Sequence, residues 1–173
     1  MPVELIRPRS WASTRFTPFR AAAAALLCLL VLACAPVQLV ADHSSESEKA
    51  ITDASASVFV LYDRMIDQKL KTVPEAPLPY APYAEDWGRI ESQLRLIVMR
   101  EGARPLNSES TRISESILRM WQKFRKAHRD TNDYKLKKLE IDQGHLARNL
   151  AAALAAEKAK TLANPDEPPA NGN

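Results

Sequence analysis

From Ser45 onward, apolar positions recur at helical spacing. Ile51, Ala54, Val58, Leu61 and Met65 fall every three or four residues, on one face of a helix predicted to run to about Thr72. Ser45 followed by Glu48 has the form of a capping box at its start. Within it Val58-Phe59-Val60-Leu61-Tyr62 is apolar all round, so this turn is either buried on several sides or a partner face built on Val58, Phe59 and Tyr62.

Pro74, Pro77, Pro79 and Pro82 then interrupt the pattern, because each lacks an amide hydrogen and disfavours helix in the residue before it. An extended linker is expected, serving as a spacer or as a recognition segment. Pro82 suits the first turn of a second helix, with Glu85 and Asp86 at the positive end of its dipole. Trp87, Ile90, Leu94, Ile97 and Val98 form its apolar face, and Gly102 with Pro105 stops it.

A third helix is expected from a cap at Asn107 or Ser108, with Ile113, Ile117, Met120, Trp121, Phe124 and His128 on its inner face. A fourth, capped by Thr131 or Asn132, carries Leu136, Leu139, Gln143, Leu146, Leu150 and Leu154. Gly144 within it predicts a kink or break. The short later connections imply antiparallel neighbours. The fold expected is therefore all-α: an antiparallel bundle of about four amphipathic helices spanning 45–163, with a proline-rich linker between the first two. Residues 164–173 have no apolar face to bury and read as a disordered tail.

The opening of the chain is patterned differently. Arg7, Arg9, Arg15 and Arg20 precede an unbroken apolar run from Ala21 to Ala35, and small residues follow, the three parts of a secretory signal. A helix of that length spans about 22 Å, short of a hydrocarbon core of about 30 Å. The run ends in Val31-Leu32-Ala33-Cys34, which resembles the lipobox of bacterial lipoproteins. The resemblance implies cleavage between Ala33 and Cys34, a diacylglyceryl group on the Cys34 sulfur, and acylation of the new amino terminus. Residues 1–33 are then a signal peptide and 34–44 a lipidated tether. Ala35 after the cysteine implies sorting to the outer membrane in a Gram-negative host. Signal cleavage after Ala35 or Ala41, or an uncleaved anchor, are the competing readings. In all of them the arginines stay cytoplasmic and the body is exported.

This reading changes the arithmetic of charge and thiols. Four of the 24 basic and one of the 21 acidic side chains precede Cys34, so the rest balances at 20 each. A neutral body argues for no general anionic partner, and nucleic acid is not expected. Cys28 leaves with the signal, so no internal disulfide can form.

Candidate chemistry is sparse. His43, His128 and His145 are too far apart in sequence for a helical metal pair, and no glycine-rich loop cradles phosphate. No nucleophile elbow is present, so neither metal, cofactor nor catalytic residue is expected. The one concentration of charge, Arg119 to Lys138, sets eight cations against two carboxylates. Arg119, Lys123, Lys126 and Arg129 are its candidate anion-binding residues, opposed by the reading of a solvated face. Trp87 and Trp121 sit on core stripes and read as packing. The expected function is thus a membrane-anchored envelope lipoprotein acting without catalysis, as a protein-interaction, assembly or accessory factor, with the bilayer and an envelope protein as partners. A module gripping an anionic glycan or lipid through the basic segment is the alternative. Small helical lipoproteins that pilot secretion components to the outer membrane are similar in size and layout.

Overall fold

The computed structural model describes residues 38–73 and 76–163, all within the compact unit Gln38–Asn173. The signal segment, Cys34 and the 164–173 tail lie outside the described residues. Among the described residues four helices form: α1 (Ser45–Lys71), α2 (Ala84–Ala103), α3 (Ser108–Thr131) and α4 (Leu136–Ala163), with one 3₁₀ turn, Ala81–Tyr83, leading into α2. There is no strand among the described residues.

Each helix packs on its sequence neighbour, and α1 closes the ring against α4. The pairs run antiparallel, as their contacts show. Arg100 Nη1 near the end of α2 donates to the Glu46 carbonyl at the start of α1, at 2.7 Å. Arg64 and Asp86 join the opposite ends of the same pair. Between α1 and α4, Ser44 N–H donates to Glu157 Oε1 at 2.6 Å, and Gln143 Nε2 to Asp63 Oδ1 at 2.8 Å. Arg125 reaches Glu91 at 2.6 Å between α3 and α2. The result is an up-down-up-down bundle of the expected class.

The apolar stripes meet at its centre. Ile51, Ala54, Leu61, Met65, Trp87, Ile90, Leu94, Ile117, Trp121, Leu139, Leu146 and Leu150 are all buried. Val98, Ile113, Met120, Leu136, Gln143 and Leu154 sit at the edges, half-buried. Val58 and Tyr62 are fully buried, which corrects their candidacy as a partner face, because the helix turns both into the core. Of that turn only Phe59 and Val60 reach the surface.

Local signals differ from expectation at three points. Ser44 rather than Ser45 caps α1: its backbone is extended and its Oγ accepts the Ser47 N–H at 3.1 Å. Neither Thr131 nor Asn132 caps α4. Thr131 is still helical, and Asn132 adopts the left-handed conformation (φ 48°) that ends α3, a place asparagine tolerates. Gly144 breaks nothing, since α4 runs unbroken through it; packing on both neighbours outweighs the local cost of about 1 kcal/mol.

The proline segment is more than a spacer. Pro77 and Pro79 have no amide hydrogen, and the amides on either side of Pro79 find side chains in the α3–α4 turn. Leu78 N–H donates to Asp133 Oδ1 at 2.8 Å and Tyr80 N–H to Asn132 Oδ1 at 3.0 Å. Lys69 holds the Ala76 carbonyl at 2.5 Å, and the Leu78 side chain is buried. The segment is strapped across one end of the bundle.

Candidate functional site

Three polar assemblies stand out, one at each end and one in the α3–α4 groove. At the end formed by the start of α1 and α3 and the close of α2 and α4, four ionisable side chains share a site. Glu101 and Glu157 are each 1% exposed. Arg104 lies 3.1 Å from both carboxylates, and Lys160 pairs closely with Glu157 while its Nζ donates to Asn107 Oδ1 at 2.6 Å. Asn107 Nδ2 in turn donates to Glu101 Oε2 at 2.6 Å. Two anions and two cations leave no net charge. Burial alone would raise the Glu157 pKa, but hydrogen bonds from Arg104, Lys160 and the Ser44 amide outweigh it and hold the carboxyl below its usual range.

The opposite end is aromatic. Trp87 and Trp121 pack with ring centres 4.3 Å apart, and Trp121 Nε1 donates to the Trp87 carbonyl at 3.1 Å. His128, 1% exposed, lies beside them. Its Nδ1 accepts from Trp87 Nε1 at 3.2 Å, so the proton sits on Nε2 and is donated to the Leu78 carbonyl at 2.9 Å. Burial pushes its pKa down, as a neutral ring fits this pair of partners and an imidazolium does not.

Between α3 and α4 a groove of about 480 Å³ opens to solvent. Met120 and Phe124 form its floor, and Arg119, Lys123, Lys138, Ser116 and His145 line it with Asp142. Lys138 lies 5.2 Å above the Phe124 ring and 2.5 Å from Asp142, which also accepts from the Tyr134 hydroxyl. With its single proton so placed, Tyr134 accepts from Tyr62, whose hydroxyl is 3.4 Å away. Burial drives both phenols well above their ordinary range, so they stay protonated. A hydrogen-bonded chain thus runs from the core to the groove wall.

The four anion-binding candidates divide here. Arg119 and Lys123 line the groove. Lys126 and Arg129 do not, because both turn to Asp130, whose carboxyl the Lys126 hydrogen bond holds below its usual range. Arg119 carries a long pair to Glu115 at 3.4 Å, while no carboxylate among the described residues pairs with Lys123. Lys138, from the next helix, completes the cationic wall. His145 accepts from Arg148 at 3.0 Å through Nδ1, which the shared ring proton leaves as an acceptor.

Among the described residues no three His, Cys, Asp or Glu side chains gather as a metal site. The enclosed space between Ile51, Leu94, Ile117 and Leu150 is about 10 Å³, the size of a single water at most. The groove, at about 480 Å³, has room for an outside group, and a smaller space of about 160 Å³ lies beside His128, Asp133 and Tyr134. Sequence reasoning missed Glu101, Asp142, Glu157 and Lys160 as interior residues. Leu94-Ile97-Glu101 and Leu146-Leu150-Ala153-Glu157-Lys160 continue the apolar stripes with charged side chains, a spacing that marks the helix face but not the counter-ion that lets a charge be buried there. Searches of family models, curated proteins and solved structures find nothing that matches this chain.

Proposed function

We propose that this chain is an exported lipoprotein, cleaved before Cys34 and held by its acylated cysteine on the periplasmic face of the outer membrane of a Gram-negative host. Its bundle acts there without catalysis, as a protein-interaction, assembly or accessory factor. The observation that carries the reading is the α3–α4 groove: an apolar floor of Met120 and Phe124 under a cationic wall of Arg119, Lys123 and Lys138. Such a groove fits an acidic amphipathic segment of an envelope protein, its apolar residues on the floor and its carboxylates on the wall. No helix among the described residues is long and apolar enough to cross a membrane, and acyl chains on Cys34 would suffice for stable attachment.

A photo-reactive residue at Ser116 tests this in cells. One envelope protein should be captured reproducibly, and the joint change Arg119→Glu with Lys123→Glu should reduce capture about tenfold. No specific protein captured sinks the reading. The same cationic wall supports a second one, a module for an anionic glycan or lipid, which predicts capture of that ligand with the same charge dependence. Cys34→Ser tests the anchor: the variant should persist as unprocessed precursor, and normal maturation would refute lipidation.

A further inference from the structure

The charged end of the bundle carries apolar side chains that stay largely in solvent. Leu39 is 79% exposed, Leu106 55% and Leu162 84%, with Val40 beside them half-exposed. They lie at one end of the bundle. Ala41 N–H donates to the Leu106 carbonyl at 3.2 Å, and Leu162 follows Lys160, whose ammonium binds Asn107 next to Leu106. Leu106 has φ 56°, in the left-handed region that a glycine fills without strain. A leucine there strains the backbone and leaves more than half of its surface in water.

The chain reaches this end in a fixed course. The Arg104 guanidinium holds the Asp42 carbonyl, and the Ser44 amide is bound to Glu157. Six residues lie between Cys34 and Ala41, a reach of at most about 25 Å. Whatever holds Cys34 therefore holds this end close by. The opposite end stands off by the length of the helices, about 40 Å for α4.

We infer that Leu39, Val40, Leu106 and Leu162 rest in the interfacial layer of the bilayer that holds Cys34, so that the helices project from the membrane with the aromatic end outermost. The inference rests on the lipid-anchor reading above. Because Glu101 and Glu157 are balanced by Arg104 and Lys160, the contact is apolar rather than electrostatic. Zwitterionic lipid is enough, and salt leaves the contact unchanged.

The test uses the full chain purified from bacterial membranes and reconstituted into phosphatidylcholine vesicles containing nitroxide-labelled lipid. A fluorophore is placed on the thiol of Leu106→Cys, Leu162→Cys or, as control at the far end, Leu70→Cys; Leu70 is also well exposed. Quenching at positions 106 and 162 should exceed that at 70 by about threefold or more and persist at high salt. Equal quenching at all three, quenching confined to 70, or loss at high salt overturns the inference. Mass spectrometry of the amino-terminal peptide reads Cys34 independently. An unacylated Cys34 with strong quenching at 106 and 162 removes only the anchor reading. Absent quenching removes the docking whatever the state of Cys34. Leu106→Gly, which keeps the turn, should lower quenching at a label on position 162.

Discussion

At the charged end of the bundle, Glu101, Glu157 and Lys160 are buried in ion pairs with one another and with the half-buried Arg104; at the aromatic end, His128 is buried as a neutral ring between an indole and a carbonyl. Both ends close the core with polar groups, and both satisfy them. They differ in what happens when one member is removed. A charge that loses its counter-ion inside a protein keeps its desolvation cost. A ring that is cut away leaves a void.

Glu157→Leu therefore leaves Lys160 and Arg104 to share Glu101 as their one remaining carboxylate in this cluster, and should cost about 3–5 kcal/mol in urea unfolding. Trp87→Ala at the other end should cost a similar 3–5 kcal/mol. The contrast lies in rescue. Adding Lys160→Leu to Glu157→Leu should recover most of the loss, since a paired apolar replacement removes the stranded ion. No second substitution restores the Trp87 volume. A charged end that cannot be rescued would erase the distinction.

Acid should separate the ends next. The folded-state pKa of His128 is lowered, so below its unfolded value of 6.5 the unfolded chain takes up a proton that the folded one refuses. Stability contributed by the neutral ring is complete above pH 6.5 and declines as pH falls below it, by at most about 2 kcal/mol at pH 5. Glu157 loses its contribution in the same direction, but further into acid. Its contribution is full above 4.5 and is lost only as pH falls through its lowered pKa. Asp133, which receives the Leu78 and Tyr134 amides beside the aromatic end, also holds into strong acid; burial opposes ionisation, but Lys135 and those amides hold its pKa at about 2. Urea midpoints across pH 7 to 5 should fall for the native chain and flatten in His128→Phe. An unchanged slope would show that another group titrates.

Backbone relief gives the smallest effects, and it too distinguishes regions. Leu106→Gly at the charged end should stabilise by up to about 1 kcal/mol, because the left-handed strain exceeds the entropic cost of glycine. At Gly144 in mid-helix an added Cβ would meet only the movable Arg148 Nη1, at 3.5 Å. Gly144→Ala should thus add roughly 0.5–1 kcal/mol in melting experiments. Destabilisation at either position would show that the glycine or leucine has a packing role.

Most of the helices were legible because their apolar residues keep the 3.6 period over several turns, and a stripe such as Ile51-Ala54-Val58-Leu61-Met65 has one burial solution. The ends were less so. Ser44 and Ser45 offer the same hydroxyl, and only the extended backbone at Ser44 chooses between them. Thr131 or Asn132 reads as a cap for the next helix; in space Asn132 terminates the last one, and Asn132 and Asp133 receive the strap's amides. The groove was half legible. The basic run from Arg119 was visible, but which cations face α4 and which turn to Asp130 depends on the neighbouring helix.

The sequence by itself determined the helices, their inner faces and their antiparallel order, because periodicity and short connections are local properties of the chain. It also set out the signal-like opening and Cys34. Tertiary structure alone decided that Glu101, Asp142, Glu157 and Lys160 lie inside, that the proline segment is a strap, and that Arg119, Lys123 and Lys138 share a wall. A charged side chain is buried only where a counter-ion from another helix meets it, and that meeting is not written in the spacing of any one segment.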